Sequence, residues 1–406
     1  MSHPLNRRRF LRGAGLTVGG LLLSGPSTLI RAQEGPELGP SLNRPERQHA
    51  WNEFLTIDDH GNPVMPRFHR LLTFDIEGEA DPTAVRRLEA QLRDWERRYD
   101  WSPEGLMFVL GWGAKYFKGR LNIDSPIPAP RALSSFETPD FDDYDACLHL
   151  ASDDEMRLNR LEAELQEGDF QVKKSLERQE TRTGFVGEGL PAARQDVSGI
   201  PSGCPVSKNS PLFMGFKSGF KRNQATEDDV TIADGPLAGG TTMQVSWLRL
   251  RLDGWYNLLD QEGRVDRMFA PQFSHEDVES LTDEAETFAD RIVQTAREHG
   301  VVGHLQASAR ARRNDRPIIL RRDFDTTDNG TAGLHFVSLQ RSIDDFVQTR
   351  QAMNASDMIF ENPSIKPRVN NGIKESIFVL RRANYLVPPR SQRAFPLLPN
   401  REEAFR

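Results

Sequence analysis

The sequence predicts an α+β protein made of two related halves, each an antiparallel sheet with helices on one face. Two observations carry that reading. Apolar residues alternate at period two and recur at helical spacing in the order strand, helix, strand, strand, helix, strand, and the same order returns after a long irregular stretch in mid-chain. At 406 residues the chain is long enough for roughly two to three domains and a sizeable buried core.

In the first half, residues 68–76 place Leu72, Phe74 and Ile76 on one face, as a half-buried strand does. Asp81-Pro82 supplies an N-cap and a first-turn proline, and Val85, Leu88, Leu92, Trp95 and Tyr99 follow at helical spacing. Residues 106–112 form a short apolar run of strand character, and 144–151 a further strand. Ser152-Asp153-Asp154-Glu155 is a capping-box sequence opening a helix that turns Leu158, Leu161 and Leu165 inward. Residues 170–176 complete the half as a strand.

The second half repeats the pattern. Residues 242–252, rich in Val, Trp and Leu, predict a strand, 280–298 a helix, and 301–307 and 318–321 short strands. Residues 333–340 follow as strand, Ser342 caps a helix with Phe346, Val347 and Met353 inward, and 377–380 add a last strand. Two βαββαβ-like units in succession predict a duplicated ferredoxin-like fold of the dimeric α/β-barrel type. The chain then divides into an N-terminal segment (1–32), a polar arm or linker (33–66), the two halves (67–180 and 242–387), a Gly/Pro-rich loop between them (181–241) and a tail (388–406). The loop is long for a connection, and Pro211-Leu-Phe-Met-Gly-Phe216 is too apolar for a solvated linker, which argues for an ordered functional segment. Arm and tail are placed to wrap their own domain or a neighbouring copy, which leaves a homo-oligomer open.

Composition narrows the function. Lys and Arg number 52 against 59 Asp and Glu, a net charge of −7, so no basic excess is available to neutralise phosphates and nucleic acid is excluded as a partner. Cys147 and Cys204, the two cysteines, allow at most one disulfide and exclude a four-cysteine zinc or iron–sulfur site. The N-terminus reads Arg7-Arg8-Arg9-Phe10-Leu11-Arg12, then a Gly-diluted apolar stretch to Leu23, then Ser24-Gly-Pro-Ser. This is an export signal resembling the twin-arginine type, with cleavage near Ala32 and the twin-arginine translocase as partner. A membrane anchor is the competing reading, but the apolar run from Leu16 to Leu23 is far shorter than the ~20 residues a bilayer span needs. Without the signal, 47 basic residues face 59 acidic ones, a net charge of −12 on the exported form, periplasmic or extracellular. The twin-arginine route moves folded proteins, often with a cofactor already inserted.

Several segments, in one order along residues 68–360, resemble the dye-decolourising (DyP-type) haem peroxidases. Residues 106–117 resemble a strand and Gly-x-Gly element of that family, and Asp145-Ala-Cys-Leu-His-Leu-Ala-Ser-Asp-Asp154 a later strand. Gly184-Phe185-Val186-Gly187-Glu188-Gly189 falls where the family carries Gly-Phe-x-Asp-Gly. Gly303-His304-Leu-Gln resembles its histidine motif, Ile318-Ile-Leu-Arg321-Arg322-Asp323 its I-L-R-R motif, and Gly333 to Arg341 the following strand.

The resemblance implies haem b, hydrogen peroxide and an unidentified electron donor. It makes His304 the iron ligand, at the start of a strand, because a haem peroxidase needs an axial imidazole. Arg321 stabilises charge on the leaving oxygen, since a guanidinium stays cationic. Glu188 moves the proton, although one inserted residue and Glu in place of Asp depart from the family's motif. Asp323, where some members have Asn, shares that work or repels the peroxide anion. Arg322 and Lys217 are candidates for the haem propionates, as is the basic run Arg310, Arg312, Arg313 and Arg316, which also reads as a solvated hairpin.

Other readings stay open at this stage. The altered distal motif favours a non-catalytic haem-binding or delivery protein, and the small number of convincing ligands an exported scaffold without cofactor. His299 and His304, five residues apart, match no usual zinc spacing. Cys147 reads as a buried core thiol, and Cys204 as a loop residue with a remote thiolate-ligand reading. Phe213, Met214, Phe216 and Phe220 read as core, or as an apolar cover over a porphyrin.

Overall fold

Period-two alternation does build the first strand of the structure, a computed structural model that describes residues 37–38, 42–58, 63–166, 175–216, 224–271 and 289–405. The export signal at 1–32, Lys217 and Phe220 lie outside the described residues. Strand β1 (Phe68–Ile76) sends Leu72, Phe74 and Ile76 to one side and His69, Leu71 and Thr73 to the other, all of them buried. Helix α1 (Pro82–Arg98) starts as expected, with Asp81 accepting the Ala84 N–H at 2.7 Å. Strands β2 (Met107–Gly113) and β3 (Ala146–Ser152), helix α2 (Glu155–Gln166) and strand β4 (Leu176–Phe185) complete the half. In space the strands run β4-β1-β3-β2, every pair antiparallel.

The second half has the same order. Strand β5 (Thr241–Leu250) is followed by helices α3 (Gln261–Met268), α4 (Ile292–His299) and α5 (His304–Ser308). Strands β6 (Leu320–Arg321) and β7 (Phe324–Thr326), two pieces of one extended run, precede β8 (Gly333–Gln340), helix α6 (Ile343–Asn354) and β9 (Ile377–Val387). The order β9-β5-β8-β6/β7 reproduces the first half position for position. Each half then pairs its last strand with the second strand of the other, Tyr385 opposite Gly113 and Asp325 opposite Phe185. The sheet thereby closes on itself, and the duplicated ferredoxin-like, barrel-type α+β fold is the observed one.

Several expected elements shift, each for a local reason. Of the strand expected at 170–176, residues 170–174 lie outside the described residues, as do 280–288 of the helix expected at 280–298; the strand observed is β4, ten residues from Leu176 that carry several charged side chains. They are satisfied across the sheet: Arg182 meets Asp142 at 2.8 Å and Glu180 at 2.7 Å, and Arg381 meets Glu180 at 3.0 Å. The pairs of Arg381 with Glu180 and of Arg382 with Glu137 let β9 run on to Val387. Residues 301–307 are not a strand. Val302 makes one bridge to Asn371, and α5 begins at His304, too short to display a helical period. At α2, Asp154 rather than Ser152 bonds a first-turn N–H, that of Arg157, while Ser152 accepts from Asp154.

The arm and the tail belong to the body. Gln48 exchanges two hydrogen bonds with the Leu110 backbone and donates to Pro388 O, and Trp51 is fully buried. Arg393 in the tail is enclosed by Glu89 and Glu96 of α1.

Candidate active site

The duplication is asymmetric where it matters. In the first half the space between sheet and helices is filled by Leu88, Leu92, Trp95, Leu148 and Leu165, leaving about 10 Å³. In the second half a cavity of about 730 Å³ opens against β5, β8 and β9. That volume is typical of sites for sizeable organic ligands, roughly 300–1,000 Å³. Leu212, Met214, Phe216, Met268 and Leu334 give it apolar walls. The segment 211–216, expected to be core or cofactor cover, thus serves both: Phe213 packs edge-on against Phe185, and its neighbours face the cavity.

His304 lines this cavity from the first position of α5. Two glycines set its place. A Cβ on Gly303 would lie 1.7 Å from Phe269 O, so only glycine lets the end of α3 pass so close. Gly372, at φ +60°, donates its N–H to Val302 O at 2.7 Å, and a Cβ there would sit 3.2 Å from His304 Cα. The imidazole is pushed down to about 3, first by burial and then by the charges of Arg321, Lys374 and Arg350, with no hydrogen bond acting on it. It is therefore neutral and keeps a nitrogen lone pair, the state in which histidine binds a metal.

Opposing charges come from the β6/β7 run. Arg321, Asp323 and Asp325 alternate onto the cavity side, while Arg322 and Phe324 point into the barrel, as period two requires. Burial lowers the Arg321 guanidinium, and the Asp323 carboxylate opposes that shift. Asp325 is fully buried and accepts the Phe213 N–H at 2.6 Å.

A second group of cations lines the wall near α6. Lys374 is buried, donates to Asn354 O at 2.6 Å, and is pushed down to about 6 by burial and by Arg350, Arg310 and Arg368. Arg368 stacks over Phe378 at 4.0 Å and donates to Ile377 O. Among the described residues neither has a carboxylate within ion-pair distance, whereas Arg350 and Arg382 share Glu137 at 3.3 and 2.7 Å.

The structure thus brings together His304, Arg321 and Asp323 of the residues expected from sequence. It does not bring Glu188, which is exposed on the turn after β4 and is not part of the cavity wall. Arg322 is also elsewhere, fully enclosed with Glu227 at 3.1 Å, His49 O at 3.0 Å and the Trp51 ring at 4.4 Å. Adjacent residues of one strand cannot both face the same cavity. The basic run is a hairpin, Arg312–Arg313 against Arg316–Pro317, turned by Asn314 and Asp315 at positive φ. Its arginines pair with nearby acids: Arg310 with Asp357, Arg313 with the buried Asp345 and Arg316 with Asp229. Cys147 is a buried core thiol and Cys204 is exposed. No cluster of three metal-ligating side chains occurs among the described residues. Asp325 and Lys374 were missed in the sequence. Counting on from Arg321 in steps of two gives the first, whereas no pattern marked the second.

Comparison with known proteins adds the fold and a family. The profile of a family described as a family of unknown function (DUF7405) matches residues 66–389. No curated protein matches the sequence. Among solved structures, a DyP-type peroxidase from Cellulomonas bogoriensis superposes with a TM-score of 0.55 at 18% identity, covering 83% of this chain and 95% of that one. A DypB variant from Rhodococcus jostii RHA1 in complex with heme gives 0.53 at 14% identity, covering 82% and 96%. The encapsulated DyP-type peroxidase of Mycobacterium smegmatis gives 0.53 at 15%, covering 83% and 97%. At these identities the likeness is one of fold.

Proposed function

The chain belongs to the DUF7405 family, whose function is unknown, and we propose that it is an exported haem-dependent peroxidase that oxidises an electron donor with hydrogen peroxide. The observation carrying this reading is His304, a neutral imidazole facing an apolar cavity of about 730 Å³ in a fold shared with DyP-type peroxidases. The site fits the group: a nitrogen ligand, apolar walls for the ring, and two basic side chains, Lys374 and Arg368, with no carboxylate in ion-pair distance among the described residues, for two propionates. An iron porphyrin held there would supply the redox chemistry, electrons for cleavage of the peroxide O–O bond and their recovery from the donor. Haem b is the form proposed, since neither cysteine lines the cavity to make a thioether.

The chain's own residues do the rest. His304 would hold the iron, and Lys374 and Arg368 would hold the propionates. Met214, Phe216 and Met268 exclude water from the ring, which strengthens every charge interaction inside. Arg321 places a fixed positive charge where negative charge develops on the leaving oxygen. Residues 1–32 would act as the twin-arginine signal, and replacing Arg7 and Arg8 by Lys should retain the protein in the cytoplasm.

The exposed position of Glu188 favours a second reading, a haem carrier without turnover. Expression with haem supplied, followed by absorption spectroscopy and a peroxide assay, separates the two. A Soret band lost in His304→Ala supports haem binding on that residue, and a band without peroxide turnover leaves the carrier. Absence of the band in the wild type removes both.

A further inference from the structure

We propose that Asp325 is the general acid of this site, acting with Asp323 as base, so that proton transfer is delivered by the strand that closes the barrel and not by the 184–189 loop. The inference rests on the haem reading above. Asp325 lies in β7 at the closing seam, opposite Phe185, and lines the cavity on the same side as Arg321 and Asp323. Its two oxygens are treated differently. Oδ2 accepts the Phe213 N–H at 2.6 Å, while Oδ1 is buried with no hydrogen-bond partner among the described residues.

A buried, unpartnered oxygen is costly as part of an ionised carboxylate. As a carboxylic acid the same Oδ1 carries an O–H that a ligand in the cavity can receive. Burial, aided by the Asp323 charge, holds the group well above the usual carboxylate range against the single opposing bond from Phe213. Asp323, by contrast, is only half-buried and lines the cavity beside Arg321. Two carboxyl groups whose surroundings differ in this way divide into an acid and a base. Two positions along an extended chain is about 7 Å, a gap that one small molecule making a hydrogen bond at each end can bridge.

The step balances as follows. Asp323 takes the proton from one oxygen of hydrogen peroxide, and Asp325 gives its proton to the other as the O–O bond breaks, releasing water. The two electrons of the cleavage would be supplied by the porphyrin iron, and the pair of carboxyl groups holds the same number of protons afterwards. The remaining oxygen leaves as a second water after two electrons from the donor and two protons from solvent.

Rapid mixing of the haem-loaded protein with hydrogen peroxide tests this, alongside infrared difference spectra of the haem-free protein. Asp325→Asn should retain the Soret band and slow the peroxide reaction by about 100-fold or more. Glu188→Gln should react within about twofold of wild type. In the haem-free wild type at neutral pH a carboxylic-acid carbonyl band should be present and should vanish in Asp325→Asn. A wild-type peroxide rate in Asp325→Asn, or a carbonyl band that survives the substitution, overturns the proposal. If that variant fails to fold, the wild-type band decides: its presence at neutral pH supports the proposal and its absence overturns it. A wild type with no Soret band at all overturns the haem reading instead, a distinct result because the infrared arm needs no haem.

Discussion

His149 Nε2 lies 2.9 Å from His69 Nδ1 inside the closed barrel, and both imidazoles are fully buried. His69 Nε2 donates to Pro66 O at 2.8 Å, so its Nδ1 is the bare nitrogen and His149 is the donor between them. Phe324 stacks on His69 at 4.4 Å. Both rings are therefore neutral, and both are joined in the interior by His335, whose Nε2 lies 3.3 Å from Asp328 Oδ2, and at the arm by His49.

These four histidines make the fold acid-sensitive. Burial first of all pushes His49 and His69 from 6.5 to about 3, and lowers His149 and His335 as well. In the unfolded chain each takes up its proton near 6.5. Below that value the unfolded state binds more protons, so the histidines' contribution to stability is level above about pH 6.5 and falls as the pH drops toward 3. Each imidazole contributes up to roughly 1 kcal/mol per pH unit. The urea midpoint should fall steadily between about pH 7 and pH 5, and a level midpoint would show that the interior accepts protons without cost.

Lys374 gives haem binding its own pH dependence. In the free protein burial and three guanidinium groups push the amine down to about 6, so at neutral pH it is largely uncharged. A propionate beside it favours the ammonium form, so binding takes up a proton and affinity should rise as the pH falls from about 8 toward 6. Lys374→Met should weaken haem binding by roughly tenfold or more, the worth of one hydrogen bond to a charged group. The dimethyl ester of haem, which lacks the carboxylates, should bind wild type and variant alike. Titrations followed at the Soret band check both statements.

Arg393 should be the most costly single charge to remove from the tail. It is fully enclosed by Glu89 and Glu96, and Arg390 shares Glu96 from the other side. Truncating it leaves Glu89 to the partly exposed Arg93 and Glu96 to Arg390, with the buried guanidinium that bridged the two carboxylates gone, a loss of up to about 3–5 kcal/mol. Arg393→Ala should lower the urea midpoint accordingly and open residues 388–405 to trypsin at Arg401. A tail that stays protease-resistant would mean that the aromatic contacts of Phe395 with Trp112 and Tyr116 suffice.

Most of the architecture was legible because burial is one-sided. Leu72, Phe74 and Ile76, or Val85, Leu88 and Leu92, can be counted to a period. Strand β4 could not, since Arg182 and Glu180 look solvated until Asp142 and Arg381 arrive from elsewhere in the chain. At the site, the motif around His304 and Arg321 led to the cavity, but similarity of motif treats neighbours alike. The strand separates them, sending Arg322 inward to Glu227 and bringing in Asp325. Lys374 was beyond reach, because its importance comes from the absence of a carboxylate around it, which only the packed structure defines.

Gly372 isolates the placement of His304 from general stability. At φ +60° any side chain adds strain of about 1–2 kcal/mol. Gly330, at φ +67°, carries the same backbone penalty with nothing within 4 Å of a Cβ. The two therefore differ in one respect: alanine at 372 presses on His304 Cα and Cβ at 3.2 and 3.3 Å, while alanine at 330 touches nothing. Both Gly→Ala variants should lose a similar amount of stability to urea. Only Gly372→Ala should alter the Soret maximum and speed haem loss, because a shift of a few tenths of an ångström at α5 moves the imidazole relative to the cavity wall. Equal spectra for the two variants would mean that α5 yields without moving its first side chain, and would leave Gly303 alone in setting the ligand.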